Sequence, residues 1–139
     1  MPDTPWTRWR NLSPLERRAT IAATALIPII HLSVKALGAK RTHRAFGSIR
    51  PVPPPADVNI ARRLAHAVSR AARWGVVAGN CLSRSIALMC LLGRCGIRAD
   101  LRLGVRLEGN GLDAHAWVEH DGVPLNESPG IARRFPIFR

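Results

Sequence analysis

At Gly96 the apolar period of this 139-residue chain changes from 3.6 residues to 2. Upstream, apolar side chains recur at helical spacing. Downstream, Arg98 to Leu107 alternates, with Leu101, Leu103, Val105 and Leu107 on one face and Arg102, Gly104 and Arg106 on the other. Glu108-Gly109-Asn110-Gly111 reads as a turn, and strands are expected at about Ala114–Glu119 and Val123–Glu127. Helices followed by an antiparallel meander predict an α+β fold, with helices packed on a small antiparallel sheet.

The helical part begins at Ser13-Pro14-Leu15-Glu16, where an N-cap Ser, a Pro in the first position and a Glu in the third mark a helix start. That helix is expected to run to about Leu37, with Gly38 as its cap. Ala19 to Val34 carries no charge, although it holds Pro28 and His31. Those sixteen residues fall short of the roughly 20 that span a bilayer. A helix apolar on most faces is buried in its own core or against a partner. A membrane-surface anchor is the alternative, and a true span a more remote one. Residues 1–13 read as loose. Lys40 to Ala56 reads as a linker, basic at first and then Pro51-Val52-Pro53-Pro54-Pro55, which excludes helix and central strand. Asp57 is expected to cap a second helix to about Trp74, with an apolar stripe at Ile60, Leu64, Ala67, Val68 and Ala71. Arg62, Arg63, Arg70 and Arg73 fall mostly outside that stripe. A third helix is expected from Cys81 to Arg94, ended by Cys95-Gly96. The chain thus divides into an N-terminal helical extension with a Pro-rich basic linker, 1–56, and a folded domain, 57–139.

The net charge is +12, from 21 Lys+Arg against 9 Asp+Glu. Such a surplus suits an acidic partner: nucleic acid, an anionic membrane surface or an acidic peptide. The arginines are spread rather than clustered, so codon bias explains the surplus equally well. Three cysteines with no CxxC or CxxH pair make a zinc site improbable and suit a reducing cytosol. Cys90 and Cys95 share the Cys81 segment at spacings that suit core packing. The N-terminus carries no secretory-signal pattern.

The chemistry points to Cys81. Helix-end amides and the helix dipole stabilise a thiolate at a helix start, and the same amides can bind the oxyanion formed when it attacks a carbonyl. Asn80 and Ser83 are candidate contributors to that oxyanion site, and Arg84, one turn on, adds positive field. His115, on a strand downstream, is the candidate base that takes the thiol proton and returns it to a leaving amine. Arg84 and Trp117 are candidate substrate contacts. A lone buried Cys is more often a core residue, and a lone strand His more often structural; the joint layout is what favours catalysis. His31, His43, His66 and His120 lack such a context and read as surface or packing residues.

Asp113, Glu119, Asp121 and Glu127 are candidates for the acid that orients His115. A three-residue loop His120-Asp121-Gly122 pairs Glu119 with Val123, Trp117 with Leu125 and His115 with Glu127, which puts Glu127 beside the imidazole. A two-residue Asp121-Gly122 loop instead pairs His115 with Ser128 and turns Glu127 to the other face. Glu127 is the first choice on the three-residue loop, and Asp121 the second.

Asn80-Cys81-Leu82-Ser83-Arg84-Ser85-Ile86-Ala87-Leu88, the strand from Gly96 to Val105, and Ala114-His115-Ala116-Trp117-Val118-Glu119 with Gly122 and Leu125-Asn126-Glu127 together resemble the B2 proteins of lasso peptide biosynthesis. These are compact members of the transglutaminase-like cysteine protease superfamily, and the resemblance covers about residues 57–130. It implies a papain/transglutaminase-like core and a leader peptidase acting through a thioester acyl-enzyme, with no metal or organic cofactor. It places the nucleophile on Cys81, the base on His115 and the third residue on Glu127, where most relatives carry Asp. It implies three partners: the leader region of a ribosomally made precursor, a small leader-binding B1 protein, and an ATP-dependent cyclase that uses the freed amine. Arg62, Arg63, Arg102 or Arg106 would line a groove for an acidic leader, or the basic linker and apolar helix would hold a cytoplasmic enzyme at a membrane or its partners. The rivals are another amidase or transferase of the superfamily, and a non-catalytic basic module for nucleic acid or a membrane surface. Basic stretches without interleaved aromatics argue against nucleic acid.

Overall fold

The computed structural model describes residues 4–47, 58–75 and 79–137. Its elements are α1 (Pro5–Arg10), α2 (Pro14–Leu37), α3 (Ala39–Phe46), α4 (Val58–Trp74), α5 (Cys81–Arg94), β1 (Asp100–Glu108), β2 (Gly111–His120), β3 (Val123–Pro124) and α6 (Ile131–Arg134). The Pro-rich stretch 51–55 and the Asp57 cap lie outside the described residues.

α2 starts on a reciprocal cap. The Glu16 amide donates to Ser13 Oγ at 3.3 Å, and the Ser13 amide donates to Glu16 Oε2 at 2.8 Å. Its inward face, Ala19, Ala23, Ile27 and Ile30, is buried in one core with Leu64 and Val68 of α4 and Ile86, Leu88 and Leu92 of α5. Its outward face leaves Ile21, Ile29 and Leu32 more than half exposed. α2 is one apolar helix near the N-terminus, long enough by composition to cross a bilayer.

Two segments expected to be irregular are helical. Residues 5–10 form α1, whose Thr4 cap accepts from the Thr7 amide at 3.4 Å and whose Pro5 suits the first turn. Residues 39–46 form α3, although the chain from Lys40 was expected as linker. Gly38 at φ +85° ends α2 and restarts the chain as a helix, and the buried Thr42 ties back to it through Oγ1–H to the Gly38 carbonyl at 2.9 Å.

The sheet is antiparallel in the order β1-β2-β3. β1 and β2 pair with Leu101 opposite Val118 and Gly104 opposite His115. Leu101 and Val118 pack against the helical core, whereas Trp117 on the other face joins Ile131 and Phe135 in a separate cluster. The expected apolar row of β1 is covered only at one end: Leu103 is 45% exposed and Leu107 81%. Leu101 packs on the helical core, whereas Leu103 and Val105 border a cleft with Leu82 at the start of α5. The chain after α6 returns to this strand, where the Val105 amide donates to the Pro136 carbonyl at 3.1 Å and Ile137 bridges Gly104.

The β2–β3 turn corrects the expected register. Glu119 pairs with Pro124 and His120 with Val123, so the loop is the two residues Asp121 and Gly122. Both have positive φ, 50° and 79°, as a type I′ turn requires. β3 stops after Pro124, far shorter than the expected strand to Glu127. The Leu125 amide still donates to the Val118 carbonyl at 2.9 Å, but the Val118 amide donates to the Asn126 side chain at 2.8 Å in place of a backbone acceptor. The ladder therefore ends at this point, and the chain bends away through residues 125–127.

Candidate active site

Cys81 is the first residue of α5, and Asn80 is its N-cap. Gly79, at φ +67°, feeds the chain into this cap. A Cβ there would lie 2.8 Å from Ile27 Cγ2, so glycine is required both by conformation and by the approach of α2. Asn80 Oδ1 accepts from the Ser83 amide at 2.8 Å and from the Ser83 hydroxyl at 2.9 Å. In the first turn, helix geometry leaves the amides of Cys81 and Leu82 without intrahelical acceptors.

The two candidate oxyanion side chains are thus used elsewhere. Asn80 holds the helix end. Ser83 is fully buried, donates to Asn80, and receives His31 Nδ1–H at 3.2 Å. His31, expected as a surface or packing residue, therefore braces the cap from α2. The oxyanion donors this geometry offers are backbone amides.

Cys81 stands at the junction of two clefts. One, of about 350 Å³, is polar and is lined by Arg73, Arg84, Asn126 and Glu127 as well as Cys81. The other, of about 300 Å³, is apolar and is lined by Leu82, Leu103, Val105, Ala114 and His115 as well as Cys81. Cys81 is half-buried. Its sulfur makes no hydrogen bond among the described residues; it shares a cleft with His115 without a direct bond to it.

His115 is held from three sides. Its Nε2 hydrogen-bonds Glu127 Oε1. The Phe135 ring lies 5.1 Å away, inclined by 31°, and the Trp117 ring 6.3 Å away, stacked at 26°. Glu127 reaches His115 by a route other than strand pairing. Because β3 ends early, the bend at 125–127 carries the Glu127 side chain back to the imidazole. Asn126 fixes this bend: its Nδ2 donates to Ser85 Oγ at 3.2 Å, and Ser85 Oγ–H donates to the Ala116 carbonyl at 3.2 Å. α5, β2 and the Glu127 segment are tied together at this point.

The other three acids are committed elsewhere. Glu119 accepts from Arg102 Nε at 3.1 Å and from Trp117 Nε1 at 3.0 Å. Asp113 pairs with Arg106 at 3.1 Å. Asp121 is 89% exposed at the turn, with His120 Nε2 at 3.5 Å. Trp117, a candidate substrate contact, is fully buried behind His115 and is a backing residue. Arg84 lines the polar cleft, and its Nη2 donates to the Gly79 carbonyl at 3.3 Å. Arg102 and Arg106 are neutralised by Glu119 and Asp113, and the arginines beside Cys81 are Arg73 and Arg84 instead.

Phe135 was not legible as a site residue. It is 5% exposed, anchored by Ile131 and Trp117, with the Arg106 guanidinium 4.4 Å over its ring. The one sequence signal is Gly104, isolated inside an alternating strand, a mark of close backbone approach. A Cβ at Gly104 would lie 2.6 Å from the Phe135 carbonyl and 2.9 Å from Trp117. Among the described residues no three His, Cys, Asp or Glu side chains are grouped to hold a metal ion.

A family model for the transglutaminase-like superfamily matches residues 23–138. No curated protein and no solved structure matches the chain. The match runs from within α2 through the Cys81 helix and the sheet to the Phe135 segment, and on that span the chain belongs to the transglutaminase-like superfamily, which includes cysteine peptidases.

Proposed function

We propose that the chain is a cysteine peptidase that removes the leader from a lasso peptide precursor, in concert with a separate leader-binding B1 protein and upstream of an ATP-dependent cyclase. The observation that carries the peptidase reading is the placement of Cys81 at a helix start between two clefts, one containing His115 and the other its partner Glu127. The lasso assignment is supported by the motif resemblance around Cys81 and His115.

In this reading the Cys81 thiolate attacks the scissile carbonyl carbon, and the resulting oxyanion is met by the amides of Cys81 and Leu82. His115 protonates the leaving amine, so the C–N bond breaks and a thioester remains on Cys81. His115 then takes a proton from water, which attacks the thioester and frees the leader carboxylate. Glu127 and the two aromatic rings hold the imidazole in place for both transfers. The exposed apolar row of α2, Ile21, Ile29 and Leu32, supports a peripheral contact with a membrane or a partner protein in the cytoplasm.

The test incubates purified protein with a lasso-type precursor, with and without the leader-binding partner, followed by mass spectrometry. Cleavage at one bond only in the presence of the partner is expected, with none in Cys81→Ala or His115→Ala. Full activity in Cys81→Ala would remove the peptidase reading. Amine transfer without hydrolysis would assign a transferase of the same superfamily.

A further inference from the structure

Arg73, at the end of α4, lines two clefts at once. One is the polar cleft of Cys81, shared with Arg84. The other is a cleft of about 260 Å³ shared with Arg8, Arg70, Leu12 and Trp74. The two clefts thus share Arg73, and the basic surface extends away from the nucleophile to Arg8 on α1.

Among the described residues Arg8, Arg70 and Arg73 have no ion-pair partner, in contrast to Arg102 and Arg106 on the sheet. Arg70 Nε donates to Thr20 Oγ1 at 3.3 Å, but its Nη2 is buried with no hydrogen-bond partner. Burial, and then the neighbouring Arg73, push the Arg70 guanidinium below the ordinary arginine value, against the opposing pull of Glu16. Glu16 is itself occupied by the Ser13 amide. At the other end Glu127 is occupied by His115. Such clustered cations gain from an external anion, and guanidinium groups bind carboxylates through paired, charge-assisted hydrogen bonds. Leu12 and Trp74 supply an apolar wall for the stems of acidic side chains.

We propose that Arg84, Arg73, Arg70 and Arg8 form a track that binds an acidic stretch of the peptide substrate, leading to or from the bond held at Cys81. This rests on the peptidase reading for its purpose, but the binding can be measured without cleavage. Trp74, 46% exposed and lining the track, is an intrinsic reporter.

The experiment titrates the full chain with a blocked peptide carrying several Glu residues and with its Gln counterpart, following tryptophan fluorescence. The Glu peptide is expected to bind, with a response lost in Trp74→Phe, and the Gln peptide not to bind. Raising salt from about 20 to about 200 mM should weaken binding steeply, since the screening length shortens. Arg8→Glu and Arg73→Glu, both at exposed positions, should each weaken binding about tenfold. Arg94→Glu, at the far end of α5 and about 20 Å from Cys81, is the charge-matched control and should leave affinity unchanged. Equal affinity for the Glu and Gln peptides, or no loss in Arg8→Glu and Arg73→Glu, overturns the proposal. So does binding of phosphatidylglycerol vesicles or an oligonucleotide through the same arginines with no binding of the Glu peptide. A track that binds the Glu peptide in a protein that cleaves nothing would leave this proposal standing and remove the peptidase reading; cleavage indifferent to acidic residues would do the reverse.

Discussion

The ring of Phe135 lies 5.1 Å from the imidazole of His115, although twenty positions separate them in the chain. The contact exists because α6 turns the chain back across the outer face of the sheet and Gly104 leaves room for it. Phe135→Leu should retain the fold at a cost of about 1 kcal/mol. It should slow cleavage by about ten- to a hundredfold, because a loosened imidazole spends less time aligned. Denaturant unfolding and steady-state rates check both parts; an unchanged rate would mean that Glu127 alone holds the ring. Phe135→Ala should cost about 3–5 kcal/mol. Gly104→Ala should destabilise by the same displacement, and the double variant should fall short of the sum of the two singles.

Glu127→Gln should reduce the rate by about 10²–10⁴, because the carboxylate that stabilises the imidazolium is lost while the shape is kept. Asp121→Ala should leave the rate unchanged, since that side chain is at an exposed turn. Equal losses in the two variants would show that turn geometry, and not the Glu127 carboxylate, sets the rate.

Alkylation should distinguish the three thiols. Cys81 lines two clefts, Cys90 is buried, and burial pushes the Cys95 thiol above the ordinary value of 9.0. The thiolate is the reacting form. Iodoacetamide near pH 8 is therefore expected to label Cys81 first, with Cys95 joining only as the pH rises. Peptide mapping by mass spectrometry reads the order, and early labelling of Cys90 would show that α5 opens in solution.

The Ser13–Glu16 cap makes stability pH-dependent. The Ser13 amide, then the Ser13 hydroxyl, hold the Glu16 carboxyl below its ordinary value of 4.5. With the folded value below the unfolded one, the stabilisation is fully present above 4.5 and is lost as pH falls through the folded value. Ser13→Ala should cost about 1 kcal/mol at neutral pH, and the gap to the parent should narrow in acid. Thermal unfolding across pH measures it.

The elements with local punctuation were legible in the sequence. The Ser13-Pro14-Glu16 start, the Gly38 stop, the helix start at Cys81 and the period change at Gly96 each carry their cause within a few residues. α1 and α3 were missed because they are six and eight residues long, too short for a periodic signal. The β2–β3 loop length is not legible from the sequence, because the contact of Glu127 with His115 does not require strand pairing. It depends instead on Asn126, whose side chain replaces a backbone acceptor and ends the ladder. Phe135 and Arg73 reach the site through tertiary packing, which neither composition nor spacing encodes.

The return of Pro136 and Ile137 to β1 has a consequence for how the protein behaves when damaged. β1 is nine residues long and lies at the sheet edge, with Leu103 and Leu107 exposed along it. An open edge of that kind templates pairing with another chain. The hydrogen bond from Val105 to Pro136 and the bridge at Gly104 occupy its middle. Proteolytic clipping after Gly130 would therefore do more than remove the backing of His115: it would leave a sticky strand, and the clipped protein should be lost from solution as aggregates.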